Sequence, residues 1–99
     1  MEVAAWNNGG EQYGVRVGKD NRSQYFNPSW PQIEVEIDGR THSFDLTPGF
    51  WKDCPEFRDS GTAAIRDWLR KHHALNWPKG QPPRYQLVPL GGKRFRLTD

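Results

Sequence analysis

The sequence predicts an α+β domain with a mainly antiparallel sheet of about five or six strands, built from hairpins, and one main helix packed on one face. Three patterns predict this class: two hairpin signatures with glycine turns, a stretch in which apolar and polar residues alternate, and one amphipathic helical segment. The 99 residues are enough for one hydrophobic core and too few for two. We therefore expect a flexible N-terminal segment at residues 1–11 and a single α+β domain at residues 12–99.

The first strands of the predicted sheet follow a stretch with few conformational restraints. Residues 7–10 read Asn-Asn-Gly-Gly, which does little to fix the backbone, so we expect the fold to begin near Gln12. Residues 13–17 alternate apolar side chains with glycine and arginine, as a half-buried strand does. Residues 18–21 are predicted to form a turn, and residues 25–26 a short returning strand.

The strongest local signal is a hairpin around the Asp-Gly dipeptide at residues 38–39. Asp-Gly favours the two-residue type I′ turn, whose geometry suits antiparallel strands. This turn pairs residues 33–37 with residues 44–40, so that the apolar side chains share one face. Glu34 and Glu36 are then predicted to lie together on the opposite, exposed face.

One main helix is predicted over residues 62–74. Its apolar residues recur at helical spacing and form a single stripe. An N-cap at Ser60 or Thr62 is expected to begin it. A shorter helical turn is predicted after Thr47, because threonine followed by proline matches an N-cap and a first helical position. The stripe of the main helix contains Ile65, Trp68, Leu69 and His72.

The C-terminal residues predict a second hairpin, formed by residues 84–88 and 93–97. A two-residue loop would mix apolar and charged side chains on one face of this hairpin. We therefore predict a three-residue loop at residues 90–92, which aligns Leu87 with Phe95 and leaves a glycine for a bulge. The arginines of the second strand then point outward.

Charge is unevenly distributed along the chain. Residues 1–57 carry 5 Lys+Arg against 9 Asp+Glu, whereas residues 58–99 carry 9 against 3. Clustered cations neutralise phosphates and release counterions, so the basic C-terminal hairpin is the candidate nucleic-acid-binding surface. The alternative is that acidic and basic elements are neighbours in the fold and offset each other. The residues predicted to bind nucleic acid are Lys79, Arg84, Lys93, Arg94 and Arg96.

These observations favour a small non-enzymatic binding module. Its expected partner is nucleic acid or an acidic protein surface, contacted through the basic hairpin. The alternative is a protein-protein interaction domain, in which the face of Glu34 and Glu36 and the basic hairpin meet complementary surfaces. The oligomeric state is not indicated by the sequence.

No catalytic residue, metal site or cofactor is predicted. A small enzyme that pairs Cys54 with His72 or His73 is the weakest alternative, because nothing in the spacing indicates such a pair. The single cysteine excludes an intramolecular disulfide, and no glycine-rich segment has the context of a phosphate-binding loop. The longest apolar run has four residues, too few for a transmembrane helix or a secretory signal, so we expect a cytoplasmic protein.

Overall fold

The sheet organises the whole chain in the structure, a computed structural model that describes residues 1–99. The predicted α+β class is confirmed, although the sheet has seven strands and a second helix is present. Neither helix has the length and apolar character that crossing a membrane requires. In chain order the elements are β1 (Glu2–Asn7), β2 (Tyr13–Arg16), α1 (Lys19–Tyr25), β3 (Gln32–Ile37), β4 (Arg40–Asp45), a 3-10 helix (Pro48–Trp51), β5 (Glu56–Arg58), α2 (Ala64–Lys71), β6 (Arg84–Gly91) and β7 (Arg94–Thr98).

The sheet curls into a nearly closed barrel. Its strand order is β4-β3-β7-β6-β1-β2-β5, and all neighbours are antiparallel except the parallel pair β3 and β7. The two end strands approach each other, and the rings of Phe44 on β4 and Phe57 on β5 are 5.0 Å apart. The inner face therefore holds the apolar core, while the outer face presents polar side chains to solvent.

The predicted apolar stripe of the main helix packs onto this core. Ile65, Trp68 and Leu69 of α2 are buried, and the Trp68 ring lies 4.6 Å from the ring of Tyr85 on β6. The helix is shorter than predicted, and neither Ser60 nor Thr62 caps it. The carboxylate of Asp59 instead accepts hydrogen bonds from the first backbone N–H groups of α2, because the chain folds back from β5 at that point.

The hairpin at residues 38–39 has the predicted turn and register. Both central residues have positive φ, 51° at Asp38 and 81° at Gly39, as a type I′ turn requires. Ile33 lies opposite Phe44, and the glutamates of β3 face outward. The predicted cap at Thr47 is also present, since its hydroxyl oxygen accepts a hydrogen bond from the N–H of Phe50.

The second hairpin has a different register from the prediction. Leu87 lies opposite Leu97, and Phe95 lies opposite Pro89, so the strands are shifted by two residues. The cause is an irregularity between Pro89 and Gly91, which moves the turn to residues 92–93. A shift of two residues keeps every side chain on its predicted face, because side chains alternate along a strand.

The N-terminal part of the chain differs most from the prediction. β1 lies inside the sheet between β6 and β2, with Val3 and Ala5 buried, so the fold begins well before Gln12. The predicted turn and returning strand at residues 18–26 are wrong, since α1 occupies residues 19–25. None of the residues of α1 is buried. The segment therefore lacks the stripe of apolar residues from which a helix is predicted.

Candidate functional site

The structure separates the predicted basic residues into different surroundings. Arg94 and Arg96 on β7 lie directly opposite Glu34 and Glu36 on β3, because these two strands are paired in parallel. Arg96 Nε is 3.0 Å from the Glu36 carboxylate, and Arg94 Nε is 3.7 Å from that of Glu34. We call these four residues the charge ladder. Acidic and basic elements are neighbours here, and their charges offset each other.

The other predicted residues lie elsewhere on the surface. Arg84 begins β6 and pairs with Glu2 on β1, with Nη1 3.3 Å from the carboxylate. Lys93 lies in the hairpin turn and Lys79 in the connector before β6, and neither forms an ion pair in the structure. Since β6 has eight residues, about 25 Å separates Arg84 from the turn. The five residues therefore do not form one continuous patch.

A second group of charges on the outer face was not predicted. Glu56 on β5 bonds to two guanidinium groups, 3.4 Å from Arg16 Nη1 and 2.9 Å from Arg58 Nη2. The Glu56 side chain is only 2% exposed, whereas those of Arg16 and Arg58 are 49% and 41% exposed. Solvent therefore meets two cations with their shared carboxylate beneath them. We call these three residues the arginine cluster.

Strand pairing and one glycine build this cluster. The antiparallel register of β2 and β5 places Arg16 opposite Glu56 and Gly14 opposite Arg58. A Cβ atom at Gly14 would lie 2.4 Å from the backbone oxygen of Phe57 and 3.2 Å from a ring carbon of Trp6. Because glycine leaves this space free, the Arg58 guanidinium reaches Trp6 on β1 and lies 4.4 Å from the centre of its ring, a cation-π contact.

A groove runs beside the cluster over β1. Ala4 lies opposite Arg16 on one side and opposite Arg84 on the other, so its short side chain forms the floor and the two arginines form the walls. This recess has a volume of about 310 Å³ and is also bordered by Gly18 and Gly80. It continues along the outer face to the exposed residues after β2, where Lys19 and Asp20 line it. We call it the β1 groove.

The walls of the β1 groove are available to a ligand. The pair of Arg84 and Glu2 has both side chains more than half exposed, and such surface pairs contribute about 0–1 kcal/mol. A phosphate or carboxylate can therefore replace Glu2 at little cost. Arg16 is held by buried Glu56 and still presents half of its surface. Guanidinium groups bind such oxyanions through paired hydrogen bonds, so the groove suits an anionic ligand.

A polar cleft lies on the other side of the cluster, where β4 and β5 approach each other. It encloses about 190 Å³ and is lined only by polar residues, including Asp45, Glu56 and Asp59. Burial raises the pKa of the Asp59 carboxyl, although the N–H groups of Ile65 and Arg66 that it caps favour its charged form. No three His, Cys, Asp or Glu side chains in the structure are placed to hold a metal ion.

The sequence contained one signal for the missed residues. A glycine inside an alternating strand often marks a place where another backbone approaches closely, and Gly14 is such a residue. That signal indicates where two backbones approach each other, but it does not indicate which residues form ion pairs there. Glu56 and Arg16 are 40 residues apart in the sequence. No protein-family model, no curated protein sequence and no solved structure matches the chain. The function is therefore inferred from the surface itself.

Proposed function

We propose that this chain is a small non-enzymatic binding module that contacts nucleic acid through the β1 groove and the arginine cluster. The observation that supports this most is the burial of Glu56 beneath the exposed guanidinium groups of Arg16 and Arg58. A buried carboxylate fixes the cations in place and leaves their outer sides free for phosphates. Binding of this kind releases counterions and is therefore strongly dependent on salt.

The proposal moves the binding surface away from the C-terminal hairpin of the sequence prediction. Arg94 and Arg96 are each matched by a glutamate that also reaches solvent, so the charge ladder has no net charge. Arg84 belongs to the groove wall, and Lys79 directly precedes Gly80 at its border. Arg84 thus remains in the proposed surface, whereas Lys79 lies beside it, in a neighbouring recess with Asn7 and Trp77.

Paired double variants test this location. Arg16→Gln with Arg84→Gln and Arg94→Gln with Arg96→Gln each remove two positive charges, and the first leaves Arg58 bonded to Glu56. We expect the groove variant to weaken binding of a labelled oligonucleotide by roughly tenfold or more, since it removes two charge-assisted contacts. The ladder variant should weaken it less than about twofold, as expected for a change in long-range charge alone.

The measurement is fluorescence anisotropy at two salt concentrations, with circular dichroism to confirm the fold of each variant. Wild-type affinity should fall steeply with salt, and the groove variant should show a shallower salt dependence. Equal losses in the two variants would assign binding to net charge rather than to the groove. The absence of wild-type binding at low salt would remove the nucleic-acid proposal.

A second proposal is protein-protein interaction through the charge ladder. Val88 and Leu90 are the exposed large apolar residues of the chain, and Val88 lies opposite Arg96 beside the ladder. The adjacent columns of glutamates and arginines offer complementary charges to a partner, including a second copy of the chain. Sedimentation velocity tests the second copy: a dimer lost in Val88→Asp supports it, and a monomer at all concentrations contradicts it.

A further inference from the structure

We infer that the nucleic acid in the β1 groove is single-stranded, with phosphates on Arg16 and Arg84 and a base stacked on the Arg58 guanidinium, which lies over the ring of Trp6. This inference rests on the proposed function and adds the class of nucleic acid that the site accepts. Three features support it: the width of the groove, its recessed shape and the position of Trp6.

The groove is one strand wide. Its walls stand on β2 and β6, which flank β1, so their backbones are two strand spacings or about 10 Å apart. The floor at Ala4 lies below the arginine side chains because alanine is short. This space suits one sugar-phosphate chain with cations on both sides. A protein that reads a duplex instead inserts a protruding helix or ribbon into the major groove.

Trp6 places an aromatic ring next to the groove, outside the residues that line it. It lies two residues from Ala4 on the same face of β1, a distance of about 7 Å along the strand. Trp6 is partly exposed, and the Arg58 guanidinium lies over its ring, 4.4 Å from the ring centre, with its outer face free for a base. Aromatic rings and guanidinium planes are the surfaces on which unpaired bases stack. Bases within a duplex are already stacked on each other and do not reach such a surface.

The stacking surface is held in place before a ligand binds. Glu56 accepts a hydrogen bond of 2.9 Å from Arg58, and this fixes the guanidinium over Trp6. Gly14 leaves the space between β1 and β5 that the contact requires. Groups ordered in the free protein lose less entropy on binding, so the arrangement favours a base that docks without rearrangement.

The experiment compares three polyanions on the full chain. The probes are a single-stranded 12-mer DNA of mixed sequence, the matching 12-base-pair duplex, and inorganic polyphosphate, which has phosphates and no bases. The wild type should bind the single strand at least tenfold more tightly than the duplex. Trp6→Leu should weaken single-strand binding by roughly tenfold, because the Arg58 guanidinium on which the base stacks loses the aromatic ring beneath it, and change polyphosphate binding less than twofold.

Two further variants make the test specific. Trp6→Phe keeps an aromatic ring and should retain most of the single-strand affinity. It can be measured in place of Trp6→Leu if that variant fails to fold. Trp51→Leu is the matched control, because Trp51 is a partly exposed tryptophan of the 3-10 helix outside the groove. It should leave all three affinities unchanged.

The possible results separate this inference from the proposed function. If the wild type binds none of the three probes, the proposed function itself fails. If it binds duplex as tightly as single strand, or if Trp6→Leu weakens polyphosphate binding equally, the groove is a polyanion site and the single-strand inference is overturned. Equal losses in Trp6→Phe and Trp6→Leu would also overturn the stacking role.

Discussion

The two halves of the outer sheet face use the same ion-pair chemistry and present different surfaces. In the charge ladder each arginine has its own glutamate, and the side chains of Glu34 and Glu36 remain 36% and 28% exposed. In the arginine cluster one carboxylate serves two arginines and is almost entirely buried. The ladder is therefore neutral to an approaching ligand, whereas the cluster is cationic. The cluster keeps a net positive charge because it has one carboxylate for two arginines, whereas the ladder has two.

The difference has a structural cause in strand position. β3 and β7 lie next to each other inside the sheet and pair residue by residue, which matches the charges one to one. β5 is a three-residue strand at the end of the sheet, and its Glu56 also lines the polar cleft between β4 and β5. Glu56 therefore faces Arg16 across the strand pair and Arg58 two residues along its own strand, so one carboxylate serves two arginines.

We expect the greatest loss of stability from a substitution at Gly14, the glycine beneath the arginine cluster. Gly14→Ala places a Cβ against the backbone oxygen of Phe57, so β5 must move, and we expect a loss of about 3 kcal/mol in the free energy of unfolding. Gly39→Ala, in the hairpin next to the ladder, meets no atom within 4 Å and is strained only by its positive φ, at a cost of about 1 kcal/mol. Urea denaturation measures both; equal losses would contradict the close approach at Gly14.

The next prediction compares the stability lost when a carboxylate is removed from the cluster and from the ladder. Glu56→Ala removes two charge-assisted hydrogen bonds at a buried site, and we expect a loss of about 2–3 kcal/mol. Glu36→Ala removes one exposed ion pair and should cost less than about 1 kcal/mol. Chemical denaturation at pH 7 distinguishes these values. A loss from Glu56→Ala no larger than that from Glu36→Ala would show that the cluster adds no more stability than the ladder.

The smallest predicted change is in how the free energy of unfolding depends on pH, and it is due to Asp59 beside the cluster. Burial raises the pKa of Asp59 above its ordinary value of 3.8, so the folded state binds this proton more tightly than the unfolded state. Ionisation of Asp59 therefore costs stability, and this cost disappears as pH falls through the folded pKa towards 3.8. Relative to Asp59→Asn, the wild type should become less stable as pH rises from about 3 to 7.

Urea denaturation at several pH values measures this difference, with Asp45→Asn as the control. Asp45 lines the same cleft, is exposed and forms no ion pair, so its variant should follow the wild type. The prediction is wrong if the wild type instead becomes more stable relative to Asp59→Asn as the pH rises. That result would mean that the two capping hydrogen bonds outweigh the burial of the carboxyl.

The parts of the fold that the sequence predicts are those with local causes. The hairpin at residues 38–39 combines turn chemistry with strict alternation, and both act within 14 residues. β1 depends on pairing with β6, about 80 residues away, and its apolar run is short and contains two alanines, which are weak strand formers. α1 buries no residue, so helical periodicity is absent from residues 19–25.

The candidate site depends on the same long-range pairings. Arg84 was predicted because it lies in a basic segment, and Arg16 was predicted to alternate with buried residues on a strand. Which carboxylate faces each arginine depends on the order of the strands in the sheet. The composition of the chain does not predict that order, so it does not predict the ion pairs. The ladder arises because β7 inserts beside β3, and the cluster arises because β5 returns to β2.

NMR titration of the labelled protein with a single-stranded 12-mer tests where the ligand binds on the outer face. Backbone amide and arginine Nε–H signals report both halves of the outer face in one experiment. We predict that the signals of Ala4, Arg16 and Arg84 shift with added oligonucleotide, while those of Arg94 and Arg96 stay within the spectral error. Shifts confined to β3 and β7, with the β1 groove unchanged, would place the ligand on the charge ladder instead.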